Sequence, residues 1–214
     1  MSDFSFTVDP EFNAANNEYS RDTKRMQASA LVLAVLLVAG AVAVVLFNDG
    51  APWAWMAAIM LGVMALVFLA LIPVIPKKTG TAQQVFDNYP LVPAMVAEVR
   101  DRDMTIMALV NMAVEPTAPP RPALALRTVT ALPGHARRKG EKVPAVAVAG
   151  RRSVRAQEVW DQISPMPIAW GTPDRKVVAD AIAHIDGQQW HTLRRNLDRV
   201  ADVRATKFDL LPLD

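Results

Sequence analysis

The chain has 214 residues, of which 52% are hydrophobic and 21% charged; its formal net charge is +2 and its mean hydropathy is positive. That length holds one ordinary domain plus extras, and the balance is too apolar for a disordered chain, pointing to a bilayer for part of it. The absence of cysteine excludes disulfides, thiolate metal sites and cysteine nucleophiles, and so small a net charge supplies no global field to recruit nucleic acid.

Residues 1–26 are polar, with scattered Phe4, Phe6 and Phe12, and read as a flexible tail in which Phe4–Val8 alternates like a short strand. Residues 27–76 then form a predicted transmembrane hairpin. Ala28–Phe47 and Trp53–Ile75 are uninterrupted apolar runs, roughly 30 and 34 Å long as helices, enough to cross a hydrocarbon core of about 30 Å. Neither run shows a polar stripe, and neither contains Asp, Glu, Lys, Arg or His, which disfavours a transporter or pump. Asn48-Asp-Gly-Ala-Pro52 reads as a tight turn, so the two spans are antiparallel. Arg21, Lys24 and Arg25 before the first span, and Lys77 and Lys78 after the second, place both termini in the cytoplasm by the positive-inside rule. A cleaved signal peptide is the rival reading, because Ala39-Gly-Ala41 has the spacing of a cleavage site. Against it, the apolar run continues past that point and 27 residues precede it. Ala54, Ala58 and Gly62 form a small-residue row that suits packing within the hairpin or against another subunit.

Residues 77–90 read as a linker with a short helix at Gln83–Tyr89, and residues 91–214 as a soluble α+β domain. Strands are predicted at Ala94–Arg100 and Met104–Met112, joined through Asp101-Arg-Asp103, and then at Ala123–Leu132, Val143–Ala149 and Phe208–Leu213. Their regular spacing predicts a small antiparallel barrel-like sheet, OB-like or SH3-like, followed by two helices. The first helix starts at Thr172-Pro-Asp174, with Thr172 as N-cap, and stops at Gly187; the second carries Trp190, Leu193, Leu197 and Val200 on one stripe.

Tyr89-Pro-Leu-Val-Pro-Ala94, Leu132-Pro-Gly-His135, Gly140-Glu-Lys-Val-Pro-Ala-Val146 and above all Trp160-Asp-Gln-Ile-Ser-Pro-Met-Pro-Ile-Ala-Trp-Gly-Thr172 carry a likeness. Over about residues 89–214 the chain resembles an actinobacterial, corynebacterial-type family of small membrane proteins classed as a domain of unknown function. The resemblance implies a bacterial inner-membrane protein and brings no catalytic residues with it.

No constellation for chemistry stands out. His135, His184 and His191 lack the spacing of a metal site, Asp180 with His184 reads as a surface pair, and Ser153 and Ser164 lack a nucleophile elbow. Glycine-rich phosphate loops are missing too, so no catalytic residue, metal or cofactor is expected. The strongest signal is basic. Nine Lys or Arg residues against one acid lie between Arg121 and Arg155, and residues 156–214 carry seven bases and nine acids. Arg137, Arg138, Lys139 and Lys142 precede one predicted strand and Arg151, Arg152 and Arg155 follow it, a placement suited to anionic lipid or an acidic protein surface. Nucleic acid fits poorly, because no aromatic residues interleave the clusters. Trp160, Met166 and Trp170, held extended by Pro165 and Pro167, cap the open end of the barrel or line a groove for a peptide or lipid chain.

The expectation is therefore a non-enzymatic, multi-pass inner-membrane accessory or scaffold protein, its cytoplasmic domain contacting a larger membrane complex or membrane lipid. The alternative is a ligand- or peptide-binding module built on Trp160–Trp170.

Overall fold

The structure, a computed structural model, describes residues 4–72, 81–152 and 157–213. The chain divides into two compact units: one takes residues 18–81, the other residues 1–17 together with 82–214. Chain order gives α1 (Pro10–Asn16), α2 (Glu18–Phe47), α3 (Pro52–Leu71) and α4 (Ala82–Asn88). The strands β1 (Leu91–Val92), β2 (Ala94–Val99), β3 (Met104–Asn111), β4 (Pro122–Val129), β5 (Ala145–Ala149) and β6 (Ile163–Pro167) come next. Last are α5 (Arg175–His184), α6 (Gly187–Arg195), α7 (Val200–Ala205) and β7 (Leu210–Pro212).

In the first unit, α2 and α3 form a hairpin, and both contain a stretch long and apolar enough to cross a membrane: Arg25–Phe47 with 23 residues and Pro52–Leu71 with 20. Residues 73–75 of the second predicted span, and Lys77 with Lys78, lie outside the described residues. The reversal is made by Asp49 (φ 48°) and Gly50 (φ 68°), both left-handed, after which Pro52 opens α3. Antiparallel packing brings Gln27 to the far end of α3, where its side-chain amide donates to the Ile72 carbonyl at 3.0 Å. Ala34, Ala54 and Ala65 are fully buried between the helices, so small side chains set the interface. Among the described residues the exposed large apolar side chains all lie between Met26 and Leu71, with Val99 the one exception.

The second unit holds two antiparallel sheets, ordered β1-β5-β6 and β2-β3-β4-β7. Sequence pattern locates β2 to β5 and β7 within a few residues, and Asp101-Arg-Asp103 does turn β2 into β3. The predicted barrel does not close. Pro93 lacks the N–H that would carry a ladder from β1 into β2, so these neighbours belong to different sheets. Residues 140–143 run along the free edge of β2, with Val96 N–H donating to Glu141 C=O at 3.0 Å and Val143 N–H to Ala94 C=O at 2.8 Å. Pro144 then ends that pairing and the chain crosses to β5 in the other sheet. Across the opposite margin, β4 reaches β6 through a side chain, Arg127 Nη1 donating to Ser164 Oγ at 3.1 Å.

Both faces of the four-stranded sheet are covered, which explains why β3 is buried along nearly its whole length. Met95, Met107, Leu124 and Leu126 point to one face and pack with Trp190, Leu193, Leu197, Val200 and Val203 of the C-terminal helices. Val96, Met104, Ile106 and Val129 point to the other, joining Val146, Val148, Met166, Ile168 and Trp170. Alanines from β2 to β5 fill the thin space near Val92 and Ile163. The helix ends differ from expectation. Asp174, not Thr172, accepts from the Lys176 N–H as N-cap of α5, and Gly187 opens α6 instead of stopping α5, with Asp186 as its cap. The long second helix divides at Asn196–Arg199 into α6 and α7.

Residues 4–17, the described part of the N-terminal segment, are no free tail and form no strand. Asp9 caps α1, its N–H donates to Gly171 C=O at 2.9 Å, and the Val8 N–H donates to Gln83 Oε1 at 2.8 Å. Val8 is buried with Val85 and Phe86, and Phe6 packs edge-on against Phe86, the ring centroids 5.1 Å apart. Gly171 is needed for this approach: a Cβ there would lie 2.8 Å from Phe86 and 2.9 Å from Phe6.

Candidate functional site

The basic residues of 137–152 fall into two groups separated by β5, whose five residues span about 17 Å. In the first group Arg137 donates through Nη2 to the carbonyls of Arg100 (2.6 Å) and Asp101 (3.2 Å), stapling the β2–β3 turn. Arg138 Nε donates to Glu141 Oε2 at 2.9 Å, Lys139 Nζ to Asp198 Oδ1 at 2.6 Å, and the Lys142 ammonium lies 4.8 Å from the Trp190 ring centroid. In the second group Arg151 lies over Phe208 and Arg152 over Trp160, at 5.6 and 5.7 Å. Arg155 lies outside the described residues. Every described member is thus steadied by its own chain, yet Arg138 and Lys139 stay largely exposed and able to change partners. Nearby, Glu98 is held below the usual carboxylate range by a hydrogen bond from Arg204 at 2.8 Å, with Arg100 adding to it.

Trp160, Met166 and Trp170 do not come together as the wall of a groove. Trp170 and Met166 are core side chains, at most 1% exposed; the Trp170 indole N–H donates to the Ala131 carbonyl at 2.9 Å, and Arg127 lies 4.8 Å above the ring. Trp160 is half-buried against the alanine cluster. The prolines that suggested an extended, unpaired segment are accommodated because Pro165 and Pro167 sit on β6, the edge strand next to β5. The apolar area is therefore spent inside the fold.

The histidines also separate. His184 packs beside Phe4, with ring centroids 5.9 Å apart, and His191 is exposed on α6. His135 is the buried one: its side chain is 5% exposed, Nδ1 lies 3.8 Å from Glu141 Oε1, and Nε2 has no hydrogen-bond partner. Burial lowers its pKa, opposed by Glu141. Among the described residues no group of three or more potential ligands converges for a metal.

His135 and Glu141 stand in the wall of a cleft of about 620 Å³, open to solvent and framed by loop 133–142, residues 172–175 and helices α5 and α6. Sequence reading missed this cleft. Its walls come from stretches as far apart as Phe12, Pro133 and Arg194, and no local pattern marks residues that meet only on folding. The one available signal was Leu132-Pro-Gly-His135 beside Gly140-Glu-Lys, an irregular loop too rich in turn residues to be a plain connection.

Residues 77–201 match the family described as protein of unknown function DUF3239. A crystal structure of "a putative membrane protein from Corynebacterium diphtheriae" is 59% identical, with a TM-score of 0.56, covering 58% of this chain and 100% of that one. No curated protein matches the chain. The corynebacterial likeness carried by the Trp160–Thr172 string is thereby met by a family match and by a related structure, and the chain belongs to the DUF3239 family.

Proposed function

We propose that this protein is a non-enzymatic accessory protein of the bacterial inner membrane, held by a two-pass hairpin with both termini in the cytoplasm and docking its folded domain on a larger membrane complex. The observation that carries the reading is the distribution of exposed apolar side chains: Leu46 (71%), Met60 (74%) and Leu66 (66%) have no cover within the hairpin, while the other unit buries its own. Such a surface is stable in lipid and costly in water. Connectivity supports the orientation. Residues 4–17 belong to the same compact unit as residues 82–213, which supports a reading in which both ends of the hairpin leave the bilayer on the same side. The same packing argues against a removable signal peptide, since cleavage would strip Val8 and Phe6 from the core.

Separation of the two basic groups by the length of β5 favours a protein partner with matching acidic spots over one flat lipid-facing patch. The test is affinity purification of the full-length protein in mild detergent, beside a variant with Arg137, Arg138, Lys139, Arg151 and Arg152 changed to Ala. A stoichiometric membrane protein that copurifies and is lost from the variant is expected, with the variant's melting curve as a control for the Arg137 staple. Bare protein from both samples would overturn the docking reading. For orientation, a phosphatase reporter fused after Asp214 should be inactive, and activity there would invert the topology.

A further inference from the structure

The cleft beside His135 has the size, charge and lining of a ligand site. Its volume of about 620 Å³ lies inside the range of small-molecule pockets, about 300–1,000 Å³. Four cations, Arg138, Lys142, Arg175 and Arg194, line it against a single carboxylate, Glu141. Glu141 is already taken by Arg138 at 2.9 Å and faces His135 at 3.8 Å, so it does not neutralise the remainder. Among the described residues neither Arg175 nor Arg194 has a carboxylate within ion-pair distance, and both are exposed where they line the cleft, so their charges remain for an incoming anion.

Apart from Thr172 and His135, the rest of the wall carries no polar side chain. Pro133, Pro173, Val178 and Ile182 form one side, and the ring of Phe12, brought in by the N-terminal segment, closes part of it. Gly134 and Gly140 hold left-handed φ angles of 76° and 83°, with open space where a Cβ would stand, so the loop's rim is left unfilled. Within the wall, the His135 side chain, 5% exposed, keeps an Nε2 with no hydrogen-bond partner, an unusual omission for a buried polar atom.

We propose that this cleft binds a small amphiphilic anion, its carboxylate or phosphate group held by Arg175 and Arg194 and its apolar body lying along Val178, Ile182 and the two prolines. This ligand site is independent of the docking proposal: loss of the partner complex leaves it intact, and its own failure leaves the accessory role standing. The acid group has two sources, a soluble metabolite or the head group of a membrane lipid.

The experiment uses the full-length protein in neutral phosphatidylcholine nanodiscs, titrated with hexyl phosphate, hexanol and inorganic phosphate, with binding read by calorimetry. Hexyl phosphate is expected to bind saturably and about tenfold or more tighter than either fragment, because only it engages both wall and arginines. Arg175→Gln with Arg194→Gln should weaken it by about tenfold or more. Ala179→Trp, at an exposed position of α5 lining the cleft, should abolish it by filling the space. Both variants change exposed side chains, and their thermal unfolding should match the parent. No saturable binding, equal affinity for hexanol, or unchanged affinity in both variants would overturn the proposal. Phosphatidylglycerol discs separate the sources: a weaker apparent affinity for hexyl phosphate there marks competition by lipid, and an unchanged affinity marks a soluble acid.

Discussion

The hairpin and the folded unit are built from the same apolar alphabet and use it in opposite senses. In the hairpin the small side chains Ala34, Ala54 and Ala65 face inward, while leucines, valines and methionines face out. In the folded unit large side chains such as Met95, Met107, Leu124 and Trp170 are fully buried as well, beside the alanine cluster. Water drives large apolar groups together, so a soluble core collects them. Lipid offers no such drive, so helices there approach through small residues and leave the large ones to the acyl chains. The burial pattern of the hairpin, more than its hydrophobicity alone, is the one expected of helices placed in lipid.

One pair of substitutions sets the comparison most sharply. Leu66 is 66% exposed on α3 and Val99 is 42% exposed at the end of β2. Were both surfaces wet, lysine at either site would be tolerated. With the hairpin in a bilayer, Leu66→Lys should cost about 2.5–3.5 kcal/mol of insertion free energy, whereas Val99→Lys should stay within about 0.5 kcal/mol. Fractionation of membrane-inserted from soluble protein reads the first, and thermal unfolding reads the second. Equal, small effects at both positions would break the distinction between the two regions.

The next largest effect tests where the folded unit begins. Gly171 has φ −91° and ψ −21°, angles open to any residue, so its glycine is needed for space and not for conformation. Gly171→Ala would press a methyl group toward Phe86 and Phe6 and should cost about 1–3 kcal/mol, overpacking a tight site. It should also speed chymotryptic cleavage at Phe6 and Phe12, as the segment lifts. Adding Phe6→Ala should recover part of the stability lost to the extra methyl, a non-additive pair measured by a double-mutant cycle. Strict additivity would mean that residues 4–17 are not packed where Gly171 meets them.

Much of this was readable beforehand, for a physical reason. The two long apolar helices and the strands β2 to β5 are local patterns, periods or runs that a few neighbouring residues carry alone. The N-terminal anchor was not readable, because Phe6 and Val8 look like stray apolar residues until Phe86, Gln83 and Gly171 are brought beside them. Strand β6 was hidden by Pro165 and Pro167, which argue against a strand everywhere except at an edge. The barrel guess failed on Pro93 and Pro144, each of which ends a ladder that strand spacing alone would have continued. Among the basic residues, charge was legible but engagement was not. That Arg137 staples a turn and Lys142 lies over Trp190 depends on contacts many residues away.

The smallest effect lies in pH and concerns the buried face of the folded unit alone. Burial holds the pKa of His135 below its ordinary value of 6.5, and Glu141 only partly offsets this. The unfolded chain therefore binds a proton more readily than the folded one between the lowered value and 6.5, so stability rises with pH across that window. Its contribution is complete above 6.5 and is lost as the pH falls through the folded value, with a slope of at most about 1.4 kcal/mol per pH unit for one proton. Glu98, also lowered, acts in a separate and more acidic window below its ordinary 4.5. Melting temperatures of the full-length protein in neutral nanodiscs should therefore decline as the pH falls below about 6.5. His135→Gln, polar and without a proton to gain, should flatten that decline while leaving the separate, more acidic loss at Glu98 in place. Because the hairpin has no titratable group along Ala28–Phe47 or Trp53–Leu71, its insertion should not follow the same curve. A variant that keeps the parent's slope would remove His135 from the account and assign the pH response to another group.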